Sequence, residues 1–174
     1  MIDESFELAD ILDKERSENK LRSTMHGLPI SLKNNFQIKN YDTSLGMVTR
    51  YNKLHQKDSL LVKVFKEKGC IPFIKTNLPI ASLGNESKNF IYGNVINPIN
   101  KDRSPGGSSG GESVAVKTGC SPLGFCSDVG GSARTPALYV GVTGFKFGPK
   151  RMTIKGISGL GLKTNQISRI TRSD

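Results

Sequence analysis

The sequence predicts an α/β fold, because segments with helical periodicity alternate with short apolar segments that are typical of buried strands. Its 174 residues, 36% of them hydrophobic and 23% charged, suffice for one domain with a core. The chain has 19 glycines, and eight of them fall between Gly106 and Gly131. This clustering favours structured loops over flexible linkers.

The first predicted elements are a helix and a strand. Apolar residues recur at helical spacing among charged ones near the N-terminus, which predicts an amphipathic helix within residues 1–20. Residues 28–33, LPISLK, then alternate apolar and polar side chains. This alternation predicts a strand that places Ser31 and Lys33 on one face.

A second helix and strand follow. Asp58 suits the N-cap of a helix that ends at Gly69. The apolar run from Cys70 to Ile74 predicts a buried strand. The alternation then continues as helix, strand, helix and strand over residues 110–118, 123–127, 132–139 and 142–146. Two segments rich in glycine and serine, SPGGSSGGE (104–112) and DVGGSARTP (128–136), therefore lie where a loop meets a helix.

The formal net charge of +10 is unevenly distributed along the chain. Residues 1–20 carry seven acids and three bases, whereas residues 146–174 carry seven bases and one acid. A solvated face, a protein contact and an anionic membrane surface all remain open for the basic segment. Nucleic acid is disfavoured, because no aromatic residue follows Phe147 to stack on single-stranded bases.

The cysteines and histidines bear on compartment and metal binding. Three cysteines cannot all pair, and the sequence has neither a signal peptide nor an apolar run of membrane-spanning length. We therefore expect a reducing, cytoplasmic compartment, and leave open homo-oligomers and peripheral association with intracellular membranes. His26 and His55 lack neighbours at metal-ligand spacing, so no metal site is predicted.

Two familiar serine and glycine motifs fail on inspection. In the nearest approach to a Walker A loop, residues 111–118, Val116 replaces the second glycine. Residues 107–111, GSSGG, fit the nucleophile elbow G-x-S-x-G with Ser109 at its centre. An elbow enzyme needs its base histidine later in the chain, yet both histidines precede Ser109. A serine–histidine triad in that order is therefore excluded.

A lysine is the remaining candidate base for a nucleophilic serine. Lysine acts as a base only where burial or neighbouring cations lower its pKa. Lys33 suits this role best, because it ends an apolar strand and is followed by two neutral asparagines. A solvated surface lysine is the alternative interpretation.

The second glycine-rich segment provides a candidate oxyanion site. In Val129-Gly130-Gly131-Ser132, glycines allow successive backbone N–H groups to converge beside a serine hydroxyl. An ordinary glycine turn with a serine N-cap is the alternative for this segment alone.

Together these segments resemble the amidase signature family. The matching stretches occur in family order from about Ala9 to the C-terminus: GLPISLKNN (27–35), KTN (75–77), NVINP (94–98), SPGGSSGGE (104–112), SPLGFCSDVGGSAR (121–134) and GFK (144–146). Several long motifs in the right order make the resemblance far more specific than any single one. It implies an α/β fold with a mixed β-sheet between helical layers.

The resemblance also implies a mechanism that needs neither a metal nor an organic cofactor. Ser132 is the implied nucleophile, Ser108 a bridging serine held by a cis peptide, and Lys33 the base. The N–H groups of Val129, Gly130, Gly131 and Ser132 form the implied oxyanion hole, while Ser109, Asp128 and Arg134 match supporting positions. The expected activity is hydrolysis of an amide bond in a small molecule.

Within the family, Gly-Gly-Glu at 110–112 and Ser-Pro-Leu-Gly at 121–124 look more like the fatty acid amide hydrolase branch, which implies a lipid-like amide. Cys126 departs from the family, which usually has glycine there. Residues 169–174, RITRSD, resemble a motif from the middle of the domain. Residues 1–174 are thus expected to form the N-terminal portion of one amidase signature domain, truncated on its C-terminal side. A non-catalytic fragment and an amidotransferase component resembling the A subunit are the alternatives.

Overall fold

The computed structural model describes residues 1–159 and 166–172. Four α-helices lie in this part of the chain: α1 (Ile2–Ser17), α2 (Leu60–Glu67), α3 (Gly110–Lys117) and α4 (Arg134–Val140). The strands are β1 (Pro29–Lys33), β2 (Ile71–Thr76), β3 (Lys88–Asn89), β4 (Gly93–Asn94), β5 (Leu123–Asp128), β6 (Thr143–Lys146) and β7 (Gln166–Thr171).

Five of the strands form one mixed sheet in the order β2-β1-β5-β7-β6. Strand β1 is parallel to both β2 and β5, whereas β7 is antiparallel to β5 and β6. Strands β3 and β4 form a separate antiparallel pair. The predicted α/β class with a mixed sheet is confirmed, and β1 lies in the interior of that sheet.

Helices cover both faces of the sheet, as predicted. On one face, Phe65 of α2 packs with Ile30, Leu32 and Phe125 in the larger apolar core. On the other, Val116 of α3 and residues of α4 pack with Cys126 in a second core. Burying apolar surface on both faces stabilises the fold.

Most of the predicted elements are confirmed, with shifts at their ends. A helix, α1, occupies the predicted N-terminal segment, but most of its apolar side chains are not buried: Leu12 is buried, whereas Phe6 and Ile11 are exposed. Strand β1 has the predicted bounds to within one residue. Helix α4 begins at Arg134 with Ala133 as its N-cap, so Ser132 lies in the preceding loop.

The prediction that Asp58 caps a helix is wrong. Ser59 is the N-cap residue of α2. The Asp58 carboxylate instead accepts hydrogen bonds of 2.8 Å from the Lys39 backbone N–H and from Lys66 Nζ. One backbone N–H group and one ammonium group thus bind the carboxylate, which makes no capping hydrogen bond. The predicted end is correct, because Gly69 follows the helix with a left-handed φ of 85°.

A tight contact between β5 and α3 leads to a prediction about stability. A Cβ atom on Gly124 would lie 2.6 Å from Cγ and 2.8 Å from Cδ of Glu112, whose carboxylate is held by two hydroxyl groups. We expect Gly124→Ala to lower the free energy of unfolding by about 2 kcal/mol, because overpacking in a core costs roughly 1–3 kcal/mol. Urea unfolding measures this loss.

Gly148→Ala is the matched control, because a Cβ atom there would make only an ordinary contact, 3.7 Å from Arg151 Cγ. We expect its unfolding free energy to change by less than about 0.5 kcal/mol, as for other surface substitutions. Equal stabilities for the two variants would contradict this account of β5 and α3.

Candidate active site

Lys33 ends the interior strand β1, and its side chain is fully buried. Alternation along the strand turns Ile30 and Leu32 toward the larger core and Ser31 and Lys33 toward α3. The Lys33 ammonium donates a 2.6 Å hydrogen bond to Ser108 Oγ. Burial lowers the pKa of Lys33 to about 8, because removing water disfavours the charged form. The predicted surface alternative for this lysine is therefore excluded.

Ser108 lies just before α3 in a tightly packed stretch of glycines. It is buried, and the Gly107–Ser108 peptide bond is cis, as the family resemblance implies. A Cβ atom on Gly107 would lie 2.6 Å from the Gly84 carbonyl oxygen, so only glycine fits there. The glycines of this segment thus permit close backbone packing around Ser108.

Ser132 is partly buried and lines a cavity of about 450 Å³ together with Ser108. Val129, Gly130 and Gly131 form part of the same wall. The two glycine-rich segments are joined directly, because the Ser109 backbone N–H donates a 3.0 Å hydrogen bond to the Ser132 carbonyl oxygen. Within the described residues, the Ser132 and Ser108 hydroxyls share a cavity but no hydrogen bond.

Asp128 and Arg134 hold the second glycine-rich segment. The buried Asp128 carboxylate accepts hydrogen bonds from the Arg134 guanidinium (2.9 and 3.0 Å) and from the N–H groups of Gly131 (2.8 Å) and Ala133 (3.0 Å). Burial alone would raise the pKa of Asp128, but the Arg134 guanidinium and the backbone donors hold it well below its usual range. The buried Asp128 carboxylate therefore fixes the conformation of the loop that carries Ser132.

This network also affects the predicted oxyanion hole. The Gly131 N–H already donates to Asp128 Oδ1, while Val129 and Gly130 are exposed at the cavity wall. Of the four predicted donors, Gly131 therefore already has an acceptor for its N–H group in this structure.

Glu112 is a buried acid next to the site. The sequence analysis assigned it no functional role and used it only as part of the resemblance to the fatty acid amide hydrolase branch. The hydroxyls of Ser31 and Thr76 each donate to its carboxylate. Burial raises the pKa of Glu112 to about 7, although these hydroxyl donors and nearby Lys33 favour its charged form. The raised pKa of Glu112 could not be predicted from the sequence, because it depends on the complete burial of this α3 side chain against β1.

Cys126, the departure from the family pattern, is a buried structural residue. Its thiol lies 3.7 Å from the Ser168 carbonyl oxygen of β7 and packs in the second core. Burial raises the pKa of Cys126 to about 12, so the thiol stays protonated at neutral pH.

Over residues 1–159 and 166–172, no three His, Cys, Asp or Glu side chains form a metal-binding group. In the same ranges, no helix combines the length and apolar character needed to cross a membrane.

The protein combines an α/β fold and a mixed sheet with a buried lysine that is hydrogen-bonded to a serine in a glycine-rich segment. These features are those of the amidase signature class. The amidase family model matches residues 1–173. The chain belongs to the amidase family.

Individual relatives agree with this assignment. The chain is 39% identical over 137 residues to the vitamin D3 hydroxylase-associated protein of Gallus gallus, covering 79% of this chain and 29% of that protein. It is 37% identical over 135 residues to fatty-acid amide hydrolase 1 of Sus scrofa, covering 78% of this chain and 23% of that protein. A solved structure of a fatty acid amide hydrolase superimposes with a TM-score of 0.92 at 30% identity, covering 98% of this chain and 31% of that one. The chain thus spans less than a third of each of these relatives.

The raised pKa of Glu112 predicts a pH dependence of stability. A carboxyl group with a pKa of about 7 when folded and 4.5 when unfolded adds stability below pH 4.5 that is lost as the pH rises through 7. We expect Glu112→Gln to remove this loss. Between pH 4.5 and 7.5 the unfolding free energy of the variant should therefore rise relative to that of the wild type by up to about 3 kcal/mol. Urea unfolding at several pH values gives the two curves.

The comparison is internally controlled, because every other titrating group is common to both proteins. Parallel curves for the variant and the wild type would mean that Glu112 titrates normally. An effect in the opposite direction would mean that Glu112 is ionised and stabilising in the folded state.

Proposed function

We propose that the chain carries the catalytic groups of a serine amidase, which hydrolyses an amide bond with Lys33, Ser108 and Ser132. The contact that most supports this proposal is the 2.6 Å hydrogen bond from the fully buried Lys33 Nζ to Ser108 Oγ. A buried lysine with a pKa of about 8 has a substantial neutral fraction near neutral pH, and the neutral amine can accept a proton.

In the proposed reaction, Ser132 is the nucleophile and Ser108 relays its proton. Ser132 Oγ attacks the amide carbon while its proton passes to Ser108 Oγ, and the Ser108 proton passes to Lys33 Nζ. The resulting Lys33 ammonium returns a proton through Ser108 to the departing amine as the C–N bond breaks. Water then hydrolyses the acyl-enzyme by the same relay and regenerates Ser132.

The negative charge on the carbonyl oxygen would be stabilised by backbone N–H groups of the loop before α4. We assign the oxyanion hole to Val129, Gly130, Gly131 and Ser132, with the Gly131 N–H shared with Asp128. Preorganised donors of this kind stabilise the transition state because they need no rearrangement during the reaction.

Asp128, Arg134 and Ser109 act as supporting residues in this proposal. Asp128 and Arg134 fix the loop that carries Ser132, and Arg134 remains about half exposed while doing so. The Ser109 N–H ties the Ser132 carbonyl oxygen to the start of α3. None of these roles requires contact with substrate.

We propose a small, lipid-like amide as the substrate, such as a fatty acid amide. The name of the Sus scrofa relative and the apolar side chains of Leu83, Ile154 and Ile157 in the cavity wall support this class. In this proposal residues 1–174 are the N-terminal portion of one amidase signature domain. The enzyme would act in the cytoplasm or on the surface of intracellular membranes, alone or as a homo-oligomer.

A non-catalytic fragment is the second candidate, and the coverage of 23% and 29% of two relatives favours it. An amidotransferase component resembling the A subunit is a separate alternative. Size-exclusion chromatography and near-UV circular dichroism of the purified chain separate the candidates. A cooperatively folded monomer favours the enzyme, and an aggregate or a chain without tertiary signal favours the fragment.

Covalent labelling tests the proposed nucleophile. A fluorophosphonate reacts with an activated serine, and we expect peptide mass spectrometry to find the label on Ser132 rather than on Ser109. Ser132→Ala should abolish labelling, and Lys33→Met should slow it by about 10²–10⁴-fold, the usual contribution of a general base. The folded state of each variant is checked by circular dichroism.

Labelling of Ser109 would instead make Ser109 the activated serine and would contradict the assignment of Ser132 as the nucleophile. A folded wild-type chain that takes up no label, or a Ser132→Ala variant labelled as fast as the wild type, would rule out the proposed triad.

A further inference from the structure

We propose that Ser82 is a positioning residue for Ser108, an inference that rests on the proposed function. Ser82 Oγ lies 3.2 Å from Ser108 Oγ, at the edge of the cavity that Ser132 also lines. Ser108 Oγ therefore has two polar neighbours among the described residues, Lys33 Nζ and Ser82 Oγ. No sequence motif singles out Ser82.

The backbone at Ser82 is held in an unfavourable conformation that brings the hydroxyl to this place. Ala81 and Ser82 both lie in the left-handed region, with φ of 57° and 61°. Residues other than glycine rarely adopt this region, and such outliers concentrate at functional sites. Hydrogen bonds hold the turn, with the Ala81 N–H donating to the Leu45 carbonyl (2.8 Å) and the Ser82 N–H to the Pro79 carbonyl (2.9 Å).

The hydrogen-bonding capacity of a hydroxyl explains what Ser82 contributes. Ser108 has one proton to donate and two lone pairs to accept with. For the relay to operate, Ser108 must donate to the lone pair of the neutral Lys33 amine, and the lone pairs of Ser108 can then accept from Ser132 and from Ser82. A donor at Ser82 occupies one lone pair and thereby directs the Ser108 proton toward Lys33 and the other lone pair toward Ser132.

The same contact serves the opposite protonation state. When Lys33 is charged it donates to Ser108 Oγ, and the Ser108 hydroxyl can then donate to Ser82 Oγ. Ser82 therefore remains hydrogen-bonded to Ser108 before and after each proton transfer, and it takes no proton from the relay. It acts through Ser108 and need not touch the substrate.

Two glycine variants separate the hydroxyl from the backbone. Ser82→Gly and Ala81→Gly each relieve one left-handed residue, but only Ser82→Gly removes the hydroxyl. We expect Ser82→Gly to lower the maximal rate of fluorophosphonate labelling by about tenfold, equivalent to one hydrogen bond, with the half-saturating concentration of the probe unchanged.

Ala81→Gly should keep the wild-type labelling rate to within about twofold. Thermal melts of both variants should be at or above the wild-type midpoint, because glycine favours these backbone angles. A purely structural role of Ser82 would not produce a slower maximal rate in a protein of undiminished stability.

Each remaining result overturns the inference in a recognisable way. Wild-type labelling kinetics in Ser82→Gly would remove the role of the hydroxyl and leave the proposed triad intact. Equal slowing in both glycine variants would assign the effect to the backbone. A folded wild-type chain without label at Ser132 would overturn the proposed function, and this inference with it.

Discussion

The candidate site depends on a single constraint, the complete burial of the Lys33 side chain at the end of an interior strand. A charged ammonium group in the core costs free energy, and this cost lowers the pKa of Lys33 to about 8. Strands β2 and β5 flank β1, and α3 lies above it, so water is excluded from the side of Lys33. Ser108, at 2.6 Å, is then the principal hydrogen-bond partner of the Lys33 amine.

The two glycine-rich segments are organised around this lysine. Glycine at position 107 permits the close approach of the Gly84 carbonyl. This packing places Ser108 within hydrogen-bond distance of the Lys33 amine. The hydrogen bond from the Ser109 N–H to the Ser132 carbonyl then places the second segment against the first. Asp128 fixes that second segment from below. Buried charge, glycine packing and backbone hydrogen bonding thus act together to bring three distant parts of the sequence to one cavity.

Local patterns predicted much of this arrangement. Alternation along residues 28–33 placed Ser31 and Lys33 on one face, and both contact α3 or the segment before it. Strand β7 was not predicted, because its burial comes from insertion between β5 and β6, a long-range pairing without a local signal. The prediction that Asp58 caps α2 was wrong because the Lys39 backbone N–H and the Lys66 ammonium bind its carboxylate instead. Ser82 carries no motif, since its proximity to Ser108 arises from a left-handed turn that sequence patterns do not encode.

The pKa of Lys33 is the quantity on which the account depends most directly. It can be measured by NMR titration of the lysine side-chain methylene signals of the folded chain, with the Lys33 signal assigned by its loss in Lys33→Met. Lys75, whose pKa burial also lowers to about 8, is identified separately by Lys75→Met. We predict a midpoint near pH 8 for Lys33. A midpoint near the ordinary lysine value of about 10.4 would contradict the account, because Lys33 would then be a charged side chain that cannot act as a base.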